Sequence, residues 1–195
     1  MTSRDDKKEQ SHETILDSAA QRVRQQGISG ARVADVMEGA GLTVGGFYAH
    51  FGSKKELIDA ALRRTGDLLR ATLFARLEEK PAADRAMVIV KRYLSPAHRD
   101  LQTEGCPLPA VLGEVGTTAP EHRDVILEQI DALAGGIHAE LPANHPMSRW
   151  HLALGLIALM YGGLTMARAL RGTQLSDEII KSCRALAAVA LRRKP

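Results

Sequence analysis

Cysteine is scarce in this chain. Cys106 and Cys183 are the only two among 195 residues, too few for a disulfide framework, and neither stands in a Cys-x-x-Cys pair or an ordered Cys/His ligand set. The expectation is reduced thiols and no metal centre. Long hydrophobic runs are scarce too. The opening MTSRDDKKEQSHE has no apolar core of the kind a secretory signal needs, and the longest uncharged run toward the other end, residues 152–167, is 16 residues, short of the about 20 that cross a bilayer. This reads as a cytoplasmic protein with no membrane partner. An excess of one charge is also missing: 26 basic against 23 acidic side chains leave a net charge of +3, so any nucleic-acid argument must come from placement rather than totals. Enzyme signatures are absent as well. There is no Gly-Lys-Ser/Thr phosphate loop, no Gly-x-Ser-x-Gly, no His-Glu-x-x-His and no paired Glu-x-x-His set, so no catalytic residue and no cofactor are expected. A small all-α enzyme remains the rival reading, without residues to carry it.

What is there is helical periodicity. No useful stretch of two-residue alternation occurs outside the chain breakers, and the expected class is all-α. Ile15, Ala19 and Val23 form a first stripe that Gly27 ends. A second helix is expected over 31–39 and a third over 43–50. Ser53-Lys54-Lys55-Glu56 reads as a capping box, with the serine hydroxyl accepting from the Glu56 amide and the Glu56 carboxylate returning to the serine amide. It opens a helix expected to run to about Lys80, a rod of about 39 Å at about 1.5 Å per residue. Helices are then expected over 82–98, up to Val115, over 120–141, over 150–170, and from Ser176 to a basic end at Arg192, Arg193 and Lys194.

Five glycines fall within residues 39–52, a density that first suggests a phosphate cradle, but their spacing fits no dinucleotide fingerprint. Two short helices joined by a tight turn at Gly41 instead form a helix-turn-helix, whose second helix enters a major groove. Each helical glycine costs about 1 kcal/mol relative to alanine. Close approach to DNA at Gly45 and Gly46, with Phe47 and Phe51 packed one turn apart as an anchor, would compensate.

Ala40-Gly41-Leu42-Thr43, Gly45-Gly46-Phe47-Tyr48, His50-Phe51 and Ser53-Lys54-Lys55-Glu56-Leu57 together resemble the signature of the TetR-type (TetR/AcrR) transcriptional regulators. The resemblance implies a DNA-binding domain over 9–69, with its helix-turn-helix at about 32–51, and an effector-binding and dimerisation domain over 70–195. It implies that Thr43 caps the recognition helix and meets a phosphate, that Val44, Gly45 and Gly46 face bases, that Tyr48 and His50 touch backbone or base, and that Lys54 grips a phosphate. Val44 departs from a position that commonly carries a polar or basic side chain and offers apolar contact only, for instance to a thymine methyl. His12 stands where an arginine is frequent. Arg32 is read equally as a phosphate contact and as a solvated side chain.

The function so implied is a homodimeric, ligand-responsive regulator, a repressor that leaves a near-palindromic double-stranded DNA operator when a small apolar effector enters the C-terminal domain; a same-fold activator is the alternative. Phe74, Met87, Tyr93, Cys106, Leu112, Trp150 and Met160 are candidates for the effector lining, each also readable as ordinary core. Cys106 has a further alternative as a thiol sensor. Leu152, Leu156, Leu159 and Gly163, with Ile179, Cys183, Leu186 and Ala190, are expected to form an isologous interface between two copies, because residues 152–167 are too apolar to face water.

Overall fold

The computed structural model describes residues 4–101 and 105–192. Among them there are helices and turns and no strand, an all-α fold: α1 (Arg4–Gly30), α2 (Val33–Gly39), a 3₁₀ turn (Val44–Ala49), α3 (Lys54–Phe74), a 3₁₀ turn (Leu77–Glu79), α4 (Arg85–Tyr93), α5 (Pro96–Asp100), α6 (Leu108–Thr117), a 3₁₀ turn (Pro120–His122), α7 (Arg123–Ala139), α8 (Arg149–Ala169) and α9 (Gln174–Ala190). The chain divides into two compact units, Met1–Asp67 with Thr103–Leu127 and Leu68–Gln102 with Glu128–Pro195. The divisions fall inside α3 and α7. The expected domain border after residue 69 lies close to the first of them, but the stretch from 105 to 127 groups with the N-terminal helices rather than with the remainder of the C-terminal region.

In the first unit, Ile15, Ala19, Val23, Val36, Met37, Phe47, Phe51, Leu57, Ile58 and Leu62 make a continuous apolar core. Ser18 Oγ donates to the Val36 carbonyl at 2.8 Å, and Arg64 of α3 reaches both Glu13 and Asp17 of α1 at 2.7 Å. The regular path of α1 breaks at Gly27, whose φ of 74° and ψ of −170° suit glycine far better than any residue with a Cβ. The break frees the amides that follow it, and a distant residue takes them: Glu114 of α6 accepts from the Ile28 and Ser29 amides at 2.8 and 2.9 Å and from the Ser29 hydroxyl at 2.9 Å. An acid thus caps the final turn of α1, where orphan donors otherwise need water.

The second unit is built on α8 and α9. Leu152, Ala153, Leu156, Ile157, Met160, Leu164 and Ala167 of α8 are buried. By length and composition alone α8 could cross a membrane, but this burial is that of a core helix. The close approach of the pair depends on Gly163, where a Cβ would lie 2.7 Å from Cys183 Sγ. Arg99 of α5 ties the start of α9 down, donating to the Ser176 hydroxyl at 2.9 Å and to Asp177 at 2.6 Å.

Several boundaries differ from the sequence reading. The long helix stops at Phe74, not Lys80: Arg76 takes a left-handed conformation (φ 53°, ψ 32°), and the guanidinium of Arg92 donates to the Leu73 carbonyl at 2.6 Å, satisfying an acceptor that a continuing helix would have used. The helix expected over 82–98 is two helices. Pro96 holds Ser95 extended at φ −119° and ψ 150°, and the Ser95 hydroxyl accepts from the His98 amide to start α5. The last helix is capped by Thr173, whose hydroxyl accepts from the Ser176 amide. Ser176 itself is buried and donates to the Ala167 carbonyl. Arg192 lies beyond the end of α9 at Ala190, and Arg193 and Lys194 lie outside the described residues.

Candidate nucleic-acid interface

The site begins where α2 ends. Gly41, at φ 70°, turns the chain after Ala40, and the backbone enters the Val44–Ala49 turn in the extended conformation of Thr43. The expected helix over 43–50 is this six-residue 3₁₀ turn. Thr43 makes no side-chain cap, which corrects the capping role expected of it. The physical reason for the short, tight element is its composition: two adjacent glycines lower the propensity for an α-helix in a segment too short to nucleate one.

The inward residues of the turn pin it. Phe47 and Phe51 are buried, with ring centroids 6.0 Å apart and nearly parallel, and His12 of α1 stacks on Phe51 at 4.5 Å. The outward residues face solvent: Val44 is 51% and Tyr48 78% exposed. At Gly45 a Cβ would meet nothing within 4 Å, and at Gly46 only the tip of Met37 at 3.9 Å. Neither glycine is required by packing within the chain.

Next to the turn, α3 starts with the capping box. The Ser53 hydroxyl accepts from the Glu56 amide at 3.1 Å, but Glu56 accepts from the Gly52 amide at 2.8 Å rather than from that of Ser53 as expected. The box thereby reaches one residue further back. Lys54 follows the cap with its side chain exposed. Arg32, also exposed, holds Asp35 at 2.6 Å.

Between the N-terminal part of α1 and the end of the turn lies an open recess of about 330 Å³ lined by Asp5, Lys8, Glu9, His12, Ala49 and His50. The imidazoles of His12 and His50 are 6.0 Å apart, and Nδ1 of His50 is buried without a hydrogen bond. Burial first, then the charges of His12 and Lys8, push the His50 imidazole below its usual range. No group of three or more His, Cys, Asp or Glu side chains among the described residues could hold a metal ion.

Residues 15–61 match the family model of bacterial regulatory proteins of the tetR family. That segment is a TetR-family DNA-binding segment. The matched segment contains α2, the turn and the cap of α3. A curated relative, the HTH-type transcriptional repressor KstR2 of Mycobacterium tuberculosis, is 39% identical over 57 residues, a stretch that makes up 29% of this chain and 28% of the repressor. Two solved structures share the fold along the whole chain: a TetR-family regulator of Cytophaga hutchinsonii (TM-score 0.80, 22% identity, 100% of both chains) and one of Chloroflexus aurantiacus (TM-score 0.79, 24% identity, 96% of this chain and 99% of that one).

The TetR-type pattern brings Thr43, Val44, Gly45, Gly46, Tyr48, His50 and Lys54 to one stretch of surface and its margin, with Arg32 at the start of α2. The other candidates are less unified. Of the effector candidates, Tyr93 and Met160 are buried, Phe74 and Met87 are half-buried, and Trp150 is 37% exposed with its ring 6.3 Å from His138. Cys106 and Leu112 belong to the first unit, and Cys106 is buried, in the manner of a small hydrophobe. Of the interface candidates, Leu152, Leu156 and Gly163 lie inside the second unit, which takes them off any surface between copies. They are apolar because they face their own chain. Leu159, Ile179 and Cys183 are half-buried, and Leu186 and Ala190 are exposed. The exposed apolar residues of this pair of helices that sequence reasoning missed are Leu154 and Met166 on α8 and Leu175 and Val189 on α9. A helix apolar nearly all round hides which side faces its own core.

Proposed function

We propose that this chain is a cytoplasmic, homodimeric transcriptional repressor that binds a near-palindromic DNA operator and leaves it when a small, largely apolar effector enters the region 70–195. One observation carries the DNA part. Gly45 is open to solvent and half-buried Gly46 has only the tip of Met37 at ordinary contact distance, so their cost to helix stability, about 1 kcal/mol each, has no return inside the chain. A backbone approaching base edges and phosphates supplies that return. Val44 reads a thymine methyl, Tyr48 and His50 meet the backbone, and Lys54 meets a phosphate beside the α3 cap.

The dimer rests on apolar side chains left uncovered on α8 and α9, among them Leu154, Met166, Leu186 and Val189; an isologous pairing of these faces removes them from water. It places two recognition turns about 34 to 36 Å apart, or a multiple of that, to meet successive turns of DNA. The similarity to KstR2 supports repression as the direction of control. The effector acts by favouring one tilt of α3, and a coupling of about 1 to 3 kcal/mol lowers operator affinity about 5- to 150-fold. Burial of Cys106 favours occupancy over thiol chemistry as the signal.

The test is capture of genomic DNA fragments by the purified protein, followed by titration of the enriched duplex. Enrichment of a near-palindrome is the expected result. Lys54→Ala then weakens binding to all duplexes alike and lowers the slope of log K against log salt by about 1, as loss of one phosphate contact requires. No enriched fragment, or an unchanged slope, overturns the reading of this face.

A further inference from the structure

Asp59, on the second turn of α3, has two partners from opposite sides. Its Oδ2 accepts from Lys55 Nζ at 2.5 Å and its Oδ1 from Nδ1 of His122 at 2.7 Å. An ionised carboxylate only accepts, so Nδ1 carries the proton. Exposure falls steeply along the three side chains: 51% for Lys55, 13% for Asp59 and 3% for His122. His122 closes the Pro120–His122 turn, and its Nε2 stands 3.9 Å from Glu121, beyond hydrogen-bond reach. A segment 63 residues downstream therefore holds, from below, an acid that holds a lysine next to Lys54.

An exposed Lys-to-Asp pair one helical turn apart is ordinarily weak and samples many geometries. This pair differs because one of its members is fixed by a side chain with almost no room to move. Two adjacent lysines stand at the start of α3, and of the two it is Lys55 that Asp59 holds. We infer that Asp59, positioned by His122, screens Lys55 and so sets how much positive charge the start of α3 offers to DNA. The inference rests on the proposed DNA-binding role of the Val44–Lys54 face. Screening leaves phosphate contact to Lys54 and lowers affinity for DNA of any sequence, so discrimination falls to the turn residues. His122 acts through Asp59 and is a positioning residue.

The probe is a short mixed-sequence duplex titrated at several salt concentrations with the full chain. Asp59→Asn is expected to tighten binding and to steepen the slope of log K against log salt by about 0.9, one additional counterion released. Lys55→Gln alone leaves the slope near the wild-type value, and Asp59→Asn added to Lys55→Gln steepens it little. His122→Leu moves the slope in the direction of Asp59→Asn, whereas His122→Asn, whose amide nitrogen takes the place of Nδ1, keeps the wild-type slope. Equal steepening with and without Lys55 overturns the inference, as does a folded His122→Leu with the wild-type slope. If His122→Leu does not fold, the Asp59 and Lys55 cycle still decides whether Lys55 is screened. Absence of salt-dependent DNA binding by the wild type would instead count against the DNA-binding role itself.

Discussion

The Val44–His50 segment and the helices around α8 use glycine to opposite ends, while in each a histidine is lowered by burial. Gly45 has open space where a Cβ would go, while at Gly163 a Cβ would press on Cys183 Sγ at 2.7 Å and on Leu94 at 3.2 Å. His50, beside the exposed turn, is lowered by burial and by like charge. His98, under α8, is driven down to about 4, by burial first and further by Arg168, although its bond to the Tyr93 carbonyl works the other way. One region leaves backbone bare to solvent. The other removes side chains so that helices can meet.

The largest effect expected from this contrast is acid sensitivity of the second unit. A histidine whose folded value lies below its unfolded value stabilises the fold fully above the unfolded value of about 6.5, and that contribution is lost as pH falls toward the folded one. With His98 at about 4, stability measured by urea unfolding should drop by about 3 kcal/mol between pH 7 and pH 4 from this group alone. His98→Asn, which keeps a donor for the Tyr93 carbonyl, should lack most of that drop. An unchanged pH profile in the variant would remove His98 from the account.

Gly163→Ala should cost about 1 to 3 kcal/mol of stability, because the added methyl must displace well-packed neighbours. Adding Cys183→Ala should recover part of it, and a variant as stable as wild type would mean that α8 and α9 can part without penalty. Gly45→Leu is expected to do the reverse: stability held, or raised by up to about 1 kcal/mol, and operator affinity lost through the clash at the groove. Full affinity would show that the turn does not approach DNA closely. The smallest effect on the fold itself is expected of Leu186→Glu, which should leave a folded monomer by sedimentation, while Leu156→Glu, aimed at a buried position, should unfold the protein. A folded dimer in the first case would move the interface elsewhere.

The contrast also marks how far the sequence could be read. The helix class, the break at Gly27, the turn at Gly41 and the cap at Ser53 were legible because each depends on a few neighbouring residues. The stop at Phe74 was not, since it depends on a guanidinium 19 positions away, and no breaker stands in the sequence before Pro81. The side of α8 that faces its own core was hidden by its uniform apolarity, and Leu152 and Leu156, expected at an interface between copies, are buried within their own unit. Glu114, Asp59 and His122 gave no local signal. Each is an ordinary polar residue with a partner more than 60 positions away.

The Glu114 cap has a practical consequence for anyone who would treat the first third of this chain as a portable module. The amides of Ile28 and Ser29 are satisfied by a carboxylate from α6, 85 or more positions downstream, so a fragment cut near residue 69 would carry its recognition turn intact but leave the end of α1 unfinished. Grafting that fragment onto a foreign sensor domain would strip the graft of a brace it cannot supply for itself. A chimera that also brings the α6 segment, with Glu114 set against Gly27, is the smallest transplant in which the end of α1 keeps its native partner.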